Sequence, residues 1–520
     1  PMLLKTLLAV AIFFFSFTVY AVSVPQYGLT WDEPFYVLHS EKIAQWFSMF
    51  AGPQNPFEDR AVEAAWNYDR YHNCHPPFYK LSGIVFSRTL GGWLFDDLLS
   101  SYRISTVFWA SLLILFLYFY LRKAYANPAV AVGGSLLFLF TPRFFAHAHF
   151  YATDMMVAAL GFITLYLVYY KRNGRFALLW ASACAGALLA VKFTGLLIFP
   201  LALATVFTVN DKKQFAAFFL RFCLLAGFFF VLLNPHSWFG QLNELRFYFQ
   251  SILERESTVP IATLYFGKIY PYRLPWHQPF VMLAIALPAI TVIFAIFGLL
   301  LHPYRHARKE WFFETGSFLI LCAVFILPST PKHDGIRLFS IQWPFILLLG
   351  VRGLVCLTNA LTQFAPPKSP QWMRFSLQGA VLAVTVLLSV HACMKTHPYQ
   401  LSYYNGFVGG TRGAAEAGFT VSYWYDALNR EAVEKINRLA DAEGVFVYSY
   451  PNKDILGWNK WLGNMKKTVY PADRAENADY VLLVHRIVPS ALRQSLAGLP
   501  REFVITATDR TPLLEMIRIR

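Results

Sequence analysis

The sequence is short of charge. Only 14% of its 520 residues are Asp, Glu, Lys or Arg, whereas 56% are hydrophobic. That balance excludes an ordinary soluble domain of this length. Acidic residues are the scarcer sign, 30 against 45 Lys and Arg, which leaves a net charge of +15. Such an excess would suit a nucleic-acid partner if it were gathered on one face. Here the basic residues punctuate long apolar runs, so they read as a membrane topology signal and give no reason to invoke nucleic acid. Cysteine is also scarce, with six in all. Cys184, Cys223, Cys322, Cys356 and Cys393 lie within apolar blocks and Cys74 stands alone in a polar loop. Neither a disulfide framework nor a metal-type spacing follows from that. Internal repeats and low-complexity tracts are absent.

What the chain has is apolar length and aromatic rings, with 50 Phe and 28 Tyr. Runs of about 17 to 22 apolar residues can cross a bilayer as helices. They fall near 3–24, 102–122, 128–144, 154–170, 175–191, 195–209, 214–234, 279–301, 312–328, 338–357 and 376–394. The pattern predicts a polytopic α-helical membrane protein of about 11 transmembrane helices. The first block ends in small residues, "VYAVSV", as a signal peptide does. It is longer than a signal core, and carboxylates follow at once, so it reads as a retained span. With Lys5 in the cytoplasm, alternation brings Arg122 and Lys123, Lys171, Arg172 and Arg175, and Lys212 and Lys213 to the inner side. Arg305, Arg308 and Lys309, and Lys368 and Arg374, fall there too. Positive residues inside are what the topology rule requires.

The other side receives a long first loop at 25–101, the turn "TPRFFAHAHFYATD" at 141–154, the turn "VKFTG" at 191–195 and a loop at 235–278. It also receives "PSTPKHDGIR" at 328–337 and everything after the last span. These segments hold most of the Asp, Glu and His, so the chemistry is expected to face outward. ATP and nucleotide sugars are not available on that side of a bacterial membrane, so group transfer there needs a donor that arrives through the lipid. From about 395 the chain changes character. "EAVEKINRLADAEG" (431–444) has helical spacing, and "VFVYSY" (445–450), "DYVLLVH" (479–485) and "EFVITATD" (502–509) read as strands. The expected organisation is a membrane domain over 1–395 and a small C-terminal extracytoplasmic α/β domain over 396–520.

Within "GLTWDEPFY" (28–36), Asp32 and Glu33 sit where the chain leaves the first span. Asp-Glu-Pro is also how a helix begins, with an acidic cap and Pro34 in the first turn. Capping accounts for one carboxylate, not two. His75-Pro76-Pro77 can be a stiff turn that opens the next helix, with Lys80 one turn into it. His147-x-His149 would suit a metal on a strand, but no third ligand is spaced nearby. Asp154 can cap the span it opens. Arg143 lies at the outer end of a span, where positive charge is not expected. Lys192 interrupts the apolar "ALLAVKFTGLLIF", a costly place unless it is paired or snorkels. Lys332, His333 and Arg337 fall in one outer turn. Cations converging on the face that topology leaves poor in them fit an anionic ligand, with a lipid-linked phosphate the natural candidate.

The ordered set resembles the GT-C superfamily of membrane glycosyltransferases. It comprises the acidic pair, His-Pro-Pro-x-x-Lys from His75 to Lys80, Arg143, Asp154 and Lys-x-x-Gly from Lys192. "KHDGIRLFSIQWPF" and "HPYQLSYYNGFVGG" (397–410), which contains Tyr403, are similar to a bacterial subgroup of the protein O-mannosyltransferase-like family. That family includes the aminoarabinose and galacturonosyl transferases of lipid A. The resemblance covers about 1–410 and implies a GT-C fold in a bacterial cytoplasmic membrane, with the site facing the periplasm or exterior. It implies a polyprenyl-phosphate monosaccharide as donor and a protein, glycan or lipid acceptor, hence a hexosyl- or pentosyltransferase. Asp32 is then the base or acceptor-positioning group, and Glu33 organises the site. Lys192, Arg337, Arg143 and His333 are expected to bind the donor phosphate, and His75, Lys80, Asp154 and Tyr403 the substrates. No cofactor is fixed by the resemblance. Some GT-C enzymes use a divalent cation and others do not, and Glu33, His75 and His147 are the groups that would ligate one. This chain departs from its relatives in lacking the extra domains of protein O-mannosyltransferases and in carrying His75 where lipid A enzymes often have a basic residue.

A transporter or flippase of lipid-linked sugars is the rival class. It would more often show two related halves, which this sequence lacks. A non-catalytic membrane scaffold is the third reading, and it predicts that Asp32→Asn is silent.

Overall fold

The computed structural model describes residues 2–67, 75–125, 127–208, 210–235, 260–301, 308–362, 371–440 and 443–520, with 238, 246, 249, 250 and 254 between them. Cys74, Arg305 and Lys368, most of the loop at 235–259 and residues 441–442 of the expected C-terminal helix lie outside the described residues. Among the described residues, six helices are long and apolar enough to cross a membrane. They are Thr6–Gln26, Leu98–Tyr125, Thr153–Lys171, Lys212–Leu232, Arg337–Thr362 and Met373–Thr396.

The remaining apolar blocks form shorter or interrupted helices, and proline explains two of the breaks. The block at 128–144 forms Pro128–Leu139 and then a separate Pro142–His147 turn of helix. Thr141, which precedes Pro142, is extended at φ −71° and ψ 117°, as the residue before a proline prefers. The block at 279–301 splits into Gln278–Ala286 and Ala289–Leu300 around an extended Leu287 before Pro288. The block at 195–209 is a short α-helix, Ile198–Ala204, between 3₁₀ turns. The block at 312–328 is a π-helical turn, Phe312–Gly316, run into Ser317–Phe325. Ala289–Leu300 and Trp343–Leu361 touch backbone to backbone. A Cβ at Gly298 would lie 2.0 Å from the Leu349 carbonyl oxygen, and one at Gly353 1.8 Å from that of Phe294. Small residues permit this approach between membrane helices.

The C-terminal part folds around a sheet. A separate hairpin pairs β1 (Thr263–Tyr265) with β2 (Lys268–Tyr270). The main sheet uses β3 (Val445–Tyr450), β4 (Val469–Pro471), β5 (Tyr480–Val484), β6 (Arg501–Thr506) and β7 (Pro512–Arg518). Its order is β4-β3-β5-β7-β6. The β3–β4 and β3–β5 pairs are parallel, and β5–β7 and β6–β7 are antiparallel. Three of these strands match the sequence expectation. β7 sits between β5 and β6 with Leu513 to Ile517 all buried, so it carries no polar alternation to announce it.

Three chain segments bring the site together at one end of the helical bundle. Thr153–Tyr166 begins there, Ala177–Leu189 ends just before Lys192, and the 3₁₀ helix Arg337–Gln342 leads from there into Trp343–Leu361. The basic residues Arg122, Lys123 and Lys171 close their helices at the opposite end.

Candidate active site

Asp32 and Glu33 are neighbours with different surroundings. Asp32 occupies the N-cap position of the Glu33–Met49 helix, yet its backbone is already helical and its side chain makes no capping hydrogen bond. Its Oδ2 lies 2.9 Å from Arg337 Nη2 and accepts the Trp424 Nε1–H at 3.2 Å. Glu33 is fully buried. Its Oε1 accepts from Arg103 Nε at 2.7 Å and from the Tyr151 amide at 2.8 Å. Its Oε2 accepts from Arg103 Nη2 at 2.7 Å and from the Thr30 amide and hydroxyl, both at 3.0 Å. Arg103 also donates to the carbonyls of Val24, Tyr27 and Gly28. The loop after the first helix is therefore wrapped around one buried ion pair. Neither carboxylate caps the helix in the way the sequence allowed: one is engaged by Arg337, the other by Arg103.

Lys192 and Arg337 share Asp154. Lys192 Nζ lies 2.7 Å from Asp154 Oδ1, and Arg337 Nε lies 3.4 Å from Asp154 Oδ2. Asp154 stands in the first turn of its helix, where the backbone amides favour a negative charge. Arg337 also meets Asp334 at 3.4 Å through Nη1. Asp334 (φ 57°) and Gly335 (φ 68°) are both left-handed and make the turn that aims Arg337. The Arg337 guanidinium thus stands among three carboxylates, yet its Nε and Nη1 make no hydrogen bond among the described residues. Nε faces Asp154 and Nη1 faces Asp334, each at 3.4 Å, so Arg337 is the cation that ties Asp32, Asp154 and Asp334 into one cluster.

A cavity of about 240 Å³ opens beside these cations. Lys192, Arg337, His75 and His333 line its polar part, and Leu196, Leu197, Val324, Phe325 and Leu338 its apolar part. A lining that combines cations with hydrocarbon side chains suits a ligand with an anionic head and an apolar tail.

The other expected site residues are distributed around this centre. Lys80 is buried and donates to the His75 carbonyl at 3.1 Å. Lys332 donates to the carbonyls of Leu327 and Thr330 and closes the turn before His333. Arg143 is fully buried behind Gly335, where a Cβ would lie 2.6 Å from its Nη1. It donates from Nε to the Tyr403 carbonyl at 3.1 Å and faces the rings of Tyr404 and Tyr423 at 4.6 and 5.8 Å. Arg143 and Tyr403 therefore meet each other and do not line the cavity. His147 and His149 lie on a helical turn and leave it in different directions. His147 sits against Trp343 and Trp424, and His149 Nε2 meets the Ser23 hydroxyl at 2.7 Å while its ring stacks on Tyr27. Burial pushes both imidazoles down to about 3. No group of three His, Cys, Asp or Glu side chains fit to hold a metal occurs among the described residues.

Sequence reasoning missed Arg103, Asp334 and Trp424. Arg103 is embedded in an apolar span, and an intramembrane arginine was a signal available for the taking. Trp424 carried no signal, since nothing local ties it to Asp32 nearly four hundred residues earlier.

No protein-family model matches the sequence, and no curated protein matches it at a significant level. Solved structures do. The archaeal oligosaccharyltransferase AglB from Archaeoglobus fulgidus, in complex with an inhibitory peptide and a dolichol-phosphate, matches with a TM-score of 0.50 at 14% identity. The match covers 92% of this chain and 70% of that one. The chain has the GT-C fold. ArnT from Cupriavidus metallidurans bound to undecaprenyl phosphate is similar over 98% of both chains, with a TM-score of 0.47 and 13% identity. A GT-C fold with six membrane-length helices is that of a multi-pass membrane protein.

Proposed function

We propose that the protein is a membrane glycosyltransferase that moves one monosaccharide from a polyprenyl-phosphate carrier to a hydroxyl acceptor, with inversion at the sugar carbon. The observation that carries this reading is the Arg337 guanidinium. It stands 2.9 Å from Asp32 and, with Lys192, borders a cavity lined by both cationic and apolar side chains. A structure of the same fold, that of AglB, is in complex with dolichol-phosphate, which supports the class of carrier.

The chemistry balances with this chain's own groups. The carboxylate of Asp32 takes the proton of the acceptor hydroxyl. The acceptor oxygen forms its bond to the sugar carbon from the face opposite the phosphate. The carbon–oxygen bond to the phosphate breaks, and its electron pair stays on the phosphate oxygen. Lys192 and Arg337 hold the charge that develops there, so the leaving group needs no proton. Asp154 keeps the two cations apart at a fixed spacing. His333, His75 and Lys80 border the same region in this reading, and Arg143 and Tyr403 support the turn behind Arg337. Glu33, one of the groups a divalent cation would use, has both oxygens engaged by Arg103.

The basic ends of the helices lie away from the site, which supports an orientation with the site outside a bacterial cytoplasmic membrane. Residues 1–395 then form the membrane part and 396–520 an extracytoplasmic part. The test is mass spectrometry of surface glycans, glycoproteins and lipids from cells with and without the gene, followed by complementation. Loss of one sugar on one acceptor, restored by wild type and not by Asp32→Asn or Lys192→Gln, is the expected result. Full restoration by both variants would refute the assignment, and accumulation of lipid-linked sugar on the inner leaflet would point to a flippase.

A further inference from the structure

The sheet-bearing C-terminal part reaches into the site at two independent places. The first is Trp424, fully buried on the stretch that enters this part of the chain. Its indole N–H donates to Asp32 Oδ2 at 3.2 Å, and its ring lies 4.2 Å from the Arg337 guanidinium. Its carbonyl accepts the Trp31 amide at 3.2 Å. One residue thus contacts both members of the Asp32–Arg337 pair and fixes the backbone just before Asp32. The chain stays close as it continues, since a Cβ at Gly28 would lie 2.4 Å from the Asp426 carbonyl oxygen. The second place is Arg486, just after β5. Its Nη2 meets Asp334 Oδ1 at 3.4 Å, and Asp334 is itself paired with Arg337.

We propose that Trp424 and Arg486 are positioning residues of the transfer reaction, so that the C-terminal part completes the active site rather than standing beside it. The inference rests on the donor reading above. Two physical effects follow from the contacts. An N–H donated to a carboxylate fixes one of its oxygens. That leaves the other oxygen of Asp32 for the acceptor proton. An aromatic ring over a guanidinium holds that group in place at no cost in charge, so Arg337 is kept at the wall of the cavity it lines. Arg486 acts one step further away. By sharing Asp334 it weakens the hold of that carboxylate on Arg337 and leaves more of the guanidinium for an incoming phosphate.

The test uses the full-length protein purified in detergent. Undecaprenyl phosphate is the binding probe, and release of polyprenyl phosphate from lipid-linked sugars extracted from the same membranes is the turnover assay. Trp424→Phe keeps a ring over Arg337 and removes the N–H. Turnover is expected to fall at least about tenfold, the scale of one hydrogen bond to a charged group. The loss should fall on kcat with KM for the lipid-linked sugar unchanged, a split that a merely structural role would not produce. Arg486→Gln is expected to weaken undecaprenyl phosphate binding several-fold, with the thermal transition unchanged. If wild type does not bind the probe, the donor reading fails. If wild type binds and turns over while Trp424→Phe matches it in kcat and KM, the positioning role is overturned. Should Trp424→Phe not fold, Arg486→Gln decides: weakened binding supports the proposal and unchanged binding overturns it.

Discussion

Arg103 holds both oxygens of Glu33, with Nε 2.7 Å from Oε1 and Nη2 2.7 Å from Oε2, and neither side chain reaches solvent. The pair lies under the loop that presents Asp32. Removing one partner strands the other charge in a dry interior, a loss of about 3–5 kcal/mol. Arg103→Ala is therefore expected to lower the thermal transition sharply or to abolish recovery of folded protein in detergent. A variant with the wild-type transition would contradict this.

Asp32 differs from its neighbour in being partly exposed and in capping nothing, so little of the fold depends on it. Asp32→Asn should unfold within a few degrees of wild type. Its turnover should fall by about 10²–10⁴-fold, the usual contribution of a general base. The comparison of melting curve with rate separates catalysis from folding.

Lys192 and Asp154 form a buried pair 2.7 Å apart. Lys192→Gln is expected to weaken undecaprenyl phosphate binding at least about tenfold and to destabilise the protein, because Asp154 then keeps only its more distant cation. Adding Asp154→Asn should recover stability without recovering lipid binding. A double variant that binds lipid as wild type does would show that Lys192 serves structure alone.

Burial pushes the Asp426 carboxyl up to about 7, against an ordinary value near 4. Between about pH 4 and pH 7 the unfolded chain has released this proton and the folded chain retains it. Stability from Asp426 is thus full at low pH and is lost as pH rises through that window. His147 and His149, pushed down by burial, work in the opposite sense and lose stability on acidification. Asp426→Asn should remove only the first effect. In a series of melting curves from about pH 4 to pH 8, the variant should lose less stability on the alkaline side than wild type does.

Hydropathy and charge made much of this architecture readable. The long apolar runs show where helices can cross, since a span must satisfy its own backbone hydrogen bonds. Where a run contains Pro142 or Pro288, the break depends on one residue and its extended predecessor, and a window average passes over it. In the C-terminal part β3 alternates between buried and exposed residues and β5 is a short apolar run, whereas β7 has Glu515 within its apolar residues and lies outside the strands expected from sequence. At the site, Lys192 stood out because a cation in an apolar stretch is costly, and Arg337 because it falls with Lys332 and His333 in one outer turn. Arg103 is as costly but was passed over inside its span. Arg143 stood out because it lies at the outer end of a span, where positive charge is not expected, and the structure sets it behind Gly335 against Tyr404 and Tyr423.

The sequence by itself determined a membrane protein with its chemistry at one end of a helical bundle, because apolar length and the sign of flanking charge are local properties. Which charges meet was decided only by tertiary structure. Ion pairing acts through space, and the partners Asp32 and Arg337, Glu33 and Arg103, and Asp154 and Lys192 are distant along the chain. Folding assigned one member of the adjacent acidic pair to Arg103 and the other to Arg337, and it brought Trp424 into contact with both Asp32 and Arg337.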